Sequence, residues 1–311
     1  MQYKDSGVDI EKLSSIKNKI IKKIKQKIRS AGLFSSGVKI DENKYLFSSI
    51  DGIGTKTKIA VMMNNYRTIG FDIVNHCVND MISSGILPIS FLDYIAFSEM
   101  EEKAVADVIE SVYNACEENG ILLVGGETAQ MPAVYNKGDF DLVGVINGIG
   151  EEKDIIKREN IKRGDILWGL KSSGLHTNGY SLARKVLFEE KFLSPNYKVN
   201  GENLGEILLK PHKSYLTEFK KVKTKIKGIV HITGGGFPDN IKRVLPENLS
   251  FNLYKNSWDI PDIFLLIQKL GSIEKEEMLK TLNMGIGMIF ISSPDEKLNK
   301  IIDAIKIGEV V

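Results

Sequence analysis

A chain of 311 residues with 42 basic and 40 acidic side chains carries a formal net charge of +2, which leaves no strong field to recruit nucleic acid. No apolar run approaches the roughly 20 residues of a membrane span, and no charged-then-apolar leader is read at the amino terminus. Two cysteines, Cys77 and Cys116, make no disulfide framework and suit a reducing cytoplasm, while the length allows a large core, ordinarily shared by two domains.

Leu13, Ile16, Ile20, Ile24 and Ile28 recur at spacings of three and four, with basic residues between them. This predicts an amphipathic helix over residues 12–29. Such a helix either docks with its basic face solvated or binds a membrane surface or RNA. The apolar segment Tyr45-Leu46-Phe47 then leads into Ser49-Ile50-Asp51-Gly52-Ile53-Gly54-Thr55-Lys56-Thr57. Asp51 can reach a divalent cation, Gly52 and Gly54 free backbone amides, and Lys56 supplies a point charge for phosphate. This is not a Walker loop, which needs four residues between its glycines and a Gly-Lys-Ser/Thr ending. An Asp-Gly turn between strands is the alternative.

Helical spacing continues through residues 70–80, where Asp72 and Asp80 read as caps, helix-face acids or ligands, and Asp93 follows in the strand-like run Phe91-Leu92-Asp93-Tyr94. Residues 102–119 predict a helix stopped by Gly120. The run Ile121–Val124 reads as a buried strand, after which Gly125 and Gly126 are expected to turn the chain sharply. They would present Glu127 to a metal-bound phosphate; a tight turn with a solvated glutamate is the alternative. A strand over residues 141–146 returns, and the polar segment Glu151–Gly164 is the best boundary.

Beyond it, a strand over residues 165–170 precedes the loop Ser172–Gly179 and a helix from Tyr180 to Glu190. Thr233-Gly234-Gly235-Gly236 stands before Pro238, a residue suited to a first helical turn. The free amides of such a terminus bind phosphate, and a flexible glycine turn is the alternative. His176 and His231 read as residues of a polar loop and a strand end, and His212 as the start of a helix, at the surface or near phosphate. His76 is given no role.

In this order, Asp51-Gly52-x-Gly54-Thr55-Lys56, Cys77-Val78-Asn79-Asp80, Phe91-Leu92-Asp93-Tyr94 and Gly125-Gly126-Glu127-Thr128-Ala129-x-Met131-Pro132 resemble the phosphoribosylformylglycinamidine cyclo-ligases, also called aminoimidazole ribonucleotide synthetases. Tyr3–Ile10, Ser172–Leu182, His231–Phe237 and Asn283–Met288 match as well, so the resemblance spans nearly the whole chain. It implies an α/β fold with mixed sheets in two domains. Residues 1–155 would bind ATP and dimerise into a barrel-like sheet core; residues 156–311 would form a mixed sheet with helices covering the active-site cleft.

The implied reaction is ATP-dependent ring closure of formylglycinamidine ribonucleotide to aminoimidazole ribonucleotide in purine biosynthesis, through a phosphorylated amide, releasing ADP and phosphate. The implied enzyme is a cytoplasmic homodimer that uses Mg2+ and has no nucleic-acid or membrane partner. The resemblance assigns Asp51, Asp80 and Glu127 to magnesium. Gly52, Gly54, Thr55, Lys56, Asp93, Gly125 and Gly126 join those acids around the nucleotide. Ser173, His176, Asn178, Thr233, Gly234, Gly235 and Gly236 fall to the substrate, and Lys56, His176 and His231 to catalysis.

Two departures stand out. Members commonly carry a richer glycine stretch where this chain has Ala31–Gly37, and most run beyond the position of Val311. His76 also stands where many carry an apolar residue. The related selenophosphate synthetases and thiamine-phosphate kinases tend to have an aspartate where this chain has His231, and the former a reactive cysteine near the start, absent here before Cys77. A nucleotide-binding scaffold without catalysis is the reading from another class.

Overall fold

Alternating apolar residues in the first half build β1 (Ser36–Lys39), β2 (Lys44–Gly52), β3 (Pro88–Phe97), β4 (Leu122–Gln130) and β5 (Phe140–Glu151). The computed structural model describes residues 3–7, 28 and 33–311; the basic helix expected over 12–29 lies outside the described residues apart from Ile28. The five strands are ordered β1-β2-β5-β3-β4. Only β3 and β4 run parallel, and a parallel pair needs a crossover. The helices of this half are α1 (Thr57–Met63), α2 (Ile69–Ile82) and α3 (Glu102–Asn119), and α3 supplies that crossover. Gly120 closes α3 in the left-handed region at φ 67°, as its sequence position predicts.

Every residue of α2 except Phe71 is buried, as expected of a helix enclosed on all sides. It lies on β2 and β5 and also reaches the second half of the chain. Close approach of helix to sheet requires Gly144 on β5: a Cβ there would stand 2.3 Å from Phe91 Cζ and 2.9 Å from Ile73 Cγ1.

Two expectations for β4 are corrected. The apolar run is not buried beyond Ile121: Leu122 is 68 % and Val124 57 % exposed, because β4 is an edge strand with one face uncovered. Gly125 and Gly126 do not turn the chain, which stays extended to Gln130. Gly126 serves packing instead, since a Cβ on it would meet Asp93 Oδ1 at 2.1 Å.

The second half forms β6 (Ile166–Lys171), a small hairpin of β7 (Lys198–Val199) and β8 (Glu202–Asn203), then β9 (Ile226–His231), β10 (Phe251–Leu253), β11 (Ile286–Ser292) and β12 (Ile305–Val310). Its main sheet is ordered β10-β12-β6-β11-β9. All four of its ladders are antiparallel, so parallel pairing is confined to the first sheet among the described residues. Its helices are α4 (Tyr180–Arg184), which continues as a π-helical turn over Lys185–Glu190, α5 (Leu204–Leu209), α6 (Leu216–Val222), α7 (Gly236–Val244), α8 (Asp262–Gly271) and α9 (Lys275–Thr281). The halves meet where α2 touches α6 and β9, and where α1 touches α5. Among the described residues no helix is long and apolar enough to cross a membrane.

Candidate functional site

One face of α2 carries Asp72, Asn75, His76, Asn79 and Asp80, positions i, i+3, i+4, i+7 and i+8. This polar stripe faces the second half of the chain. Residues 210–215 form no helix or strand there, yet buried backbone groups must find partners. The first half provides them. Lys56 Nζ donates to Lys210 O at 2.7 Å, His212 N donates to Asp72 Oδ1 at 2.7 Å, and Asn75 Nδ2 donates to His212 O at 2.7 Å. Asn79 Nδ2 donates to Lys213 O at 2.8 Å, and Asn79 Oδ1 accepts from Tyr215 N at 3.0 Å. The segment is a strap held by side chains.

The strap completes a cluster of all four histidines of the chain, each buried. His176 and His212 stack with ring centroids 3.9 Å apart, and His231 lies 5.0 Å from His76 and 5.2 Å from His212. His76 Nε2 is 2.9 Å from Asp51 Oδ2, and its Nδ1 is 2.7 Å from Thr177 Oγ1. His231 Nδ1 is 2.8 Å from Asp80 Oδ1, and its Nε2 is 3.2 Å from His212 Nε2. His176 Nε2 accepts from Ser173 N at 3.2 Å, while its buried Nδ1 has no hydrogen-bond partner. His176 also holds a left-handed backbone, φ 63°, the kind of strain that gathers at functional sites.

Burial and charge set the protonation of the cluster. Burial alone would lower the His76 pKa, but Asp51, with Asp80 and Asp72, raises it to about 9. Burial lowers His231 despite its bond to Asp80, and pushes His176 and His212 well below the ordinary histidine value. Burial raises Asp72 to about 6 against the pull of Lys56, and lowers Lys56 in turn. A raised histidine pKa stabilises the fold fully below the unfolded value of 6.5, and that contribution is lost as pH rises through about 9. His76 alone therefore contributes on the order of 3 kcal/mol that is lost between pH 6 and 9.5, while His176, His212 and His231, held below the ordinary value, act in the opposite direction over the same range. Urea unfolding of chelator-treated protein at both pH values would show a change in the native chain about 3 kcal/mol less favourable than in His76→Gln; equal changes would refute the assignment.

The structure places the residues singled out in the sequence unevenly. Asp51, Asp80, His176 and His231 converge on the seam, and Thr55 Oγ1 lies 3.2 Å from Ser181 Oγ at the start of α4. Ser173 Oγ donates to Pro211 O, anchoring its loop on the strap. Asn178 comes near Gly234, where a Cβ would stand 3.5 Å from Asn178 Oδ1, so the two anion-suited loops adjoin. Asn240 Nδ2, from α7, braces the carbonyls of Thr233, Gly234 and Gly236. Asp93 lies on the same face of the sheet as Asp51, because both pair with Gly144 of β5.

Three expectations are corrected. Lys56, expected to offer its charge to phosphate, is fully buried and pairs with Asp72 Oδ1 at 2.7 Å. Glu127 does not join Asp51 and Asp80 within one chain. Gly126 faces Asp93, so its neighbour Glu127 projects from the opposite face. His176 in the Ser172–Gly179 loop and His231 at the end of β9 stand where the sequence places them, and both are buried. His212 starts no helix and is buried at the centre of the cluster. Sequence reasoning missed His76 altogether; its i, i+4 spacing from Asp72 and Asp80 was the available signal.

Comparison with known proteins places this geometry in a family. Residues 30–150 match the family model "AIR synthase related protein, N-terminal domain", and residues 162–311 the corresponding C-terminal domain. A phosphoribosylformylglycinamidine cyclo-ligase of Thermoanaerobacter sp. (strain X514) is 45 % identical, with 100 % of this chain and 98 % of that protein covered. The protein of that name from Caldanaerobacter subterraneus subsp. tengcongensis is 45 % identical over 95 % of this chain and 91 % of its own. Among solved structures, thiamine monophosphate kinase from Aquifex aeolicus superposes with a TM-score of 0.65 at 16 % identity, covering 97 % of this chain and 95 % of that one. T. maritima PurL complexed with FGAR gives 0.61 at 15 % identity, covering 88 % of this chain and 43 % of that one. At such identities the likeness is one of fold.

Proposed function

The chain belongs to the phosphoribosylformylglycinamidine cyclo-ligase family, and from that premise we propose that this ATP-dependent ligase closes formylglycinamidine ribonucleotide to aminoimidazole ribonucleotide at the seam between its two halves. The observation that carries the reading is the meeting of Asp51 and Asp80 with the Ser172–Gly179 and Thr233–Gly236 loops around one histidine cluster. An amide oxygen is a poor leaving group, and phosphorylation makes it a good one. The formamide oxygen takes the terminal phosphoryl group of ATP; an amidine nitrogen attacks the activated carbon, phosphate leaves, and the nitrogen gives up a proton.

Phosphoryl transfer asks the protein mainly for positioning and charge neutralisation. Magnesium favours oxygen ligands and neutralises phosphate charge when bound. Asp51, whose side chain is 41 % exposed at the mouth of the seam, and Asp80 behind it fit that need. We assign Gly52, Gly54 and Thr55 to the phosphates, Ser173, Asn178 and Thr233–Gly236 to the ribonucleotide, and Asp93 to support of the nucleotide side. His231, neutral through burial and hydrogen-bonded to Asp80, is the proton acceptor we assign; His176 fixes Ser173 through its backbone amide. Lys56 positions the strap through Asp72 and Lys210. The decisive measurement is ADP release with and without formylglycinamidine ribonucleotide. Release that depends on the ribonucleotide supports the reading, and ATP binding without such release would leave a non-catalytic scaffold.

Glu127 projects from the sheet face turned away from Asp51. The face of the first sheet turned away from α2 exposes Ile50 (66 %), Ile149 (45 %), Leu122 and Val124, an apolar surface that calls for a partner. A two-fold pair is the commonest solution, and it would cover Glu127. Ile50→Lys should therefore shift the full chain from dimer to monomer in sedimentation at micromolar concentration. A native chain that is monomeric there and still active would refute the dimer.

A further inference from the structure

Two imidazoles turn a ring nitrogen toward Asp80, and the ring-closure reading uses only that of His231. One ring nitrogen each of His76 and His231 and a carboxylate oxygen of Asp80 lie within 4.8 Å of one another, all three residues buried. His231 Nδ1 is 2.8 Å from Asp80 Oδ1, and His76 Nε2 is 3.8 Å from Asp80 Oδ2. Ligand atoms about 2.0–2.2 Å from a tetrahedral ion stand roughly 3.3 Å apart, so small side-chain shifts would enclose one. His76 and Asp80 are i, i+4 on α2, one helix face, and His231 closes β9 in the other half of the chain.

The surroundings complete the case. The second nitrogen of each imidazole is already held: His76 Nδ1 by Thr177 Oγ1 at 2.7 Å, and His231 Nε2 by His212 Nε2 at 3.2 Å. Outer partners of this kind fix the ring of a metal-ligating histidine. Asp51 Oδ2, 2.9 Å from His76 Nε2 and partly exposed, offers a fourth ligand and the path inward. Two carboxylates facing two imidazoles match a dication in formal charge, and imidazole nitrogen selects zinc-like ions over magnesium.

We propose that His76, Asp80 and His231, with Asp51 at the open position, bind one divalent transition-metal ion of the zinc class, pinning β9 to α2 across the seam. The site shares Asp51 and Asp80 with the magnesium reading and engages His231 Nδ1, so a zinc-class ion and the magnesium-bound nucleotide are alternative occupants. Zinc binding is read on the nucleotide-free chain without turnover, so its failure leaves the ring-closure reading untouched.

The test uses the full chain, stripped with chelator and free of nucleotide. The only histidines and cysteines of the chain are His76, His176, His212, His231, Cys77 and Cys116, and all are buried, so surface binding by these residues does not obscure the result. Calorimetry with Zn2+ in the absence of Mg2+ should give one ion per chain. Co2+ should give the visible absorption of a low-symmetry site, and X-ray absorption a first shell of nitrogen and oxygen with imidazole scattering. His76→Gln should weaken binding by more than about a hundredfold, and Thr177→Val, which leaves every ligand in place, by about tenfold. Failure of the native chain to bind Zn2+ stoichiometrically, sulfur in the first shell, or unchanged affinity in both variants would overturn the proposal. The native-chain measurements decide even if a variant fails to fold.

Discussion

Asp51→Asn should lower substrate-dependent ADP release by about a hundredfold or more, the scale on which loss of one electrostatic stabiliser acts. The substitution keeps shape and removes the charge nearest the mouth of the seam. Asp51 accepts from Gly52 N at 2.7 Å through Oδ1, leaving Oδ2 to face His76 at 2.9 Å. Asparagine can keep the first bond through its own oxygen and then turns an amide toward the imidazole. The carboxylate is held below its ordinary pKa even though burial, the largest influence, acts to raise it; the charge and hydrogen bond of His76 overcome that. It is therefore ionised at neutral pH and available to a cation. The check is turnover at saturating ATP across a magnesium titration, with circular dichroism confirming the fold. Near-native turnover at high magnesium would remove Asp51 from the phosphate site.

What could be read from the sequence follows from what is local. The helix α3 is legible because its apolar period and the terminal Gly120 are both contained in its own residues. The acids Asp51 and Asp80 are legible because each sits in a motif whose neighbours constrain it. The glycines beside Glu127 are not, since glycine serves a turn and a close approach equally well. Only the position of Asp93 on β3 decides between them. Likewise the exposed Leu122 and Val124 look the same in sequence as a buried strand, because burial depends on whether a second layer covers that face.

The histidine cluster shows the same limit more sharply. His76, His176, His212 and His231 are separated by up to 155 residues of sequence (231 − 76), and no local pattern brings them together. The strap at residues 210–215 has no periodicity, and His212 within it reads as the start of a helix, at the surface or near phosphate. Its burial becomes legible only once the stripe on α2 supplies partners for its backbone. Polar residues spaced as in Asp72, Asn75, His76, Asn79 and Asp80 on an otherwise apolar helix are the signal that such a partner exists.

Asp72→Ala should cost about 3–5 kcal/mol of stability, the range found when one member of a buried ion pair is removed. Both side chains of the Lys56–Asp72 pair are fully buried, 2.7 Å apart. Removing Asp72 strands the Lys56 charge and also deprives His212 N of its acceptor. The Lys56 amine keeps only Lys210 O and a contact 5.6 Å from the Tyr180 ring centroid. The double variant Lys56→Met/Asp72→Leu removes both charges together and should recover part of the loss, because it replaces an unpaired charge with apolar packing. Urea unfolding of the native chain and the variants measures each value. The same release of the strap should raise KM for the ribonucleotide in Asp72→Ala, since Ser173 is anchored to the strap through Pro211. A loss below about 1 kcal/mol, with KM unchanged, would show that the pair does not hold the strap in place.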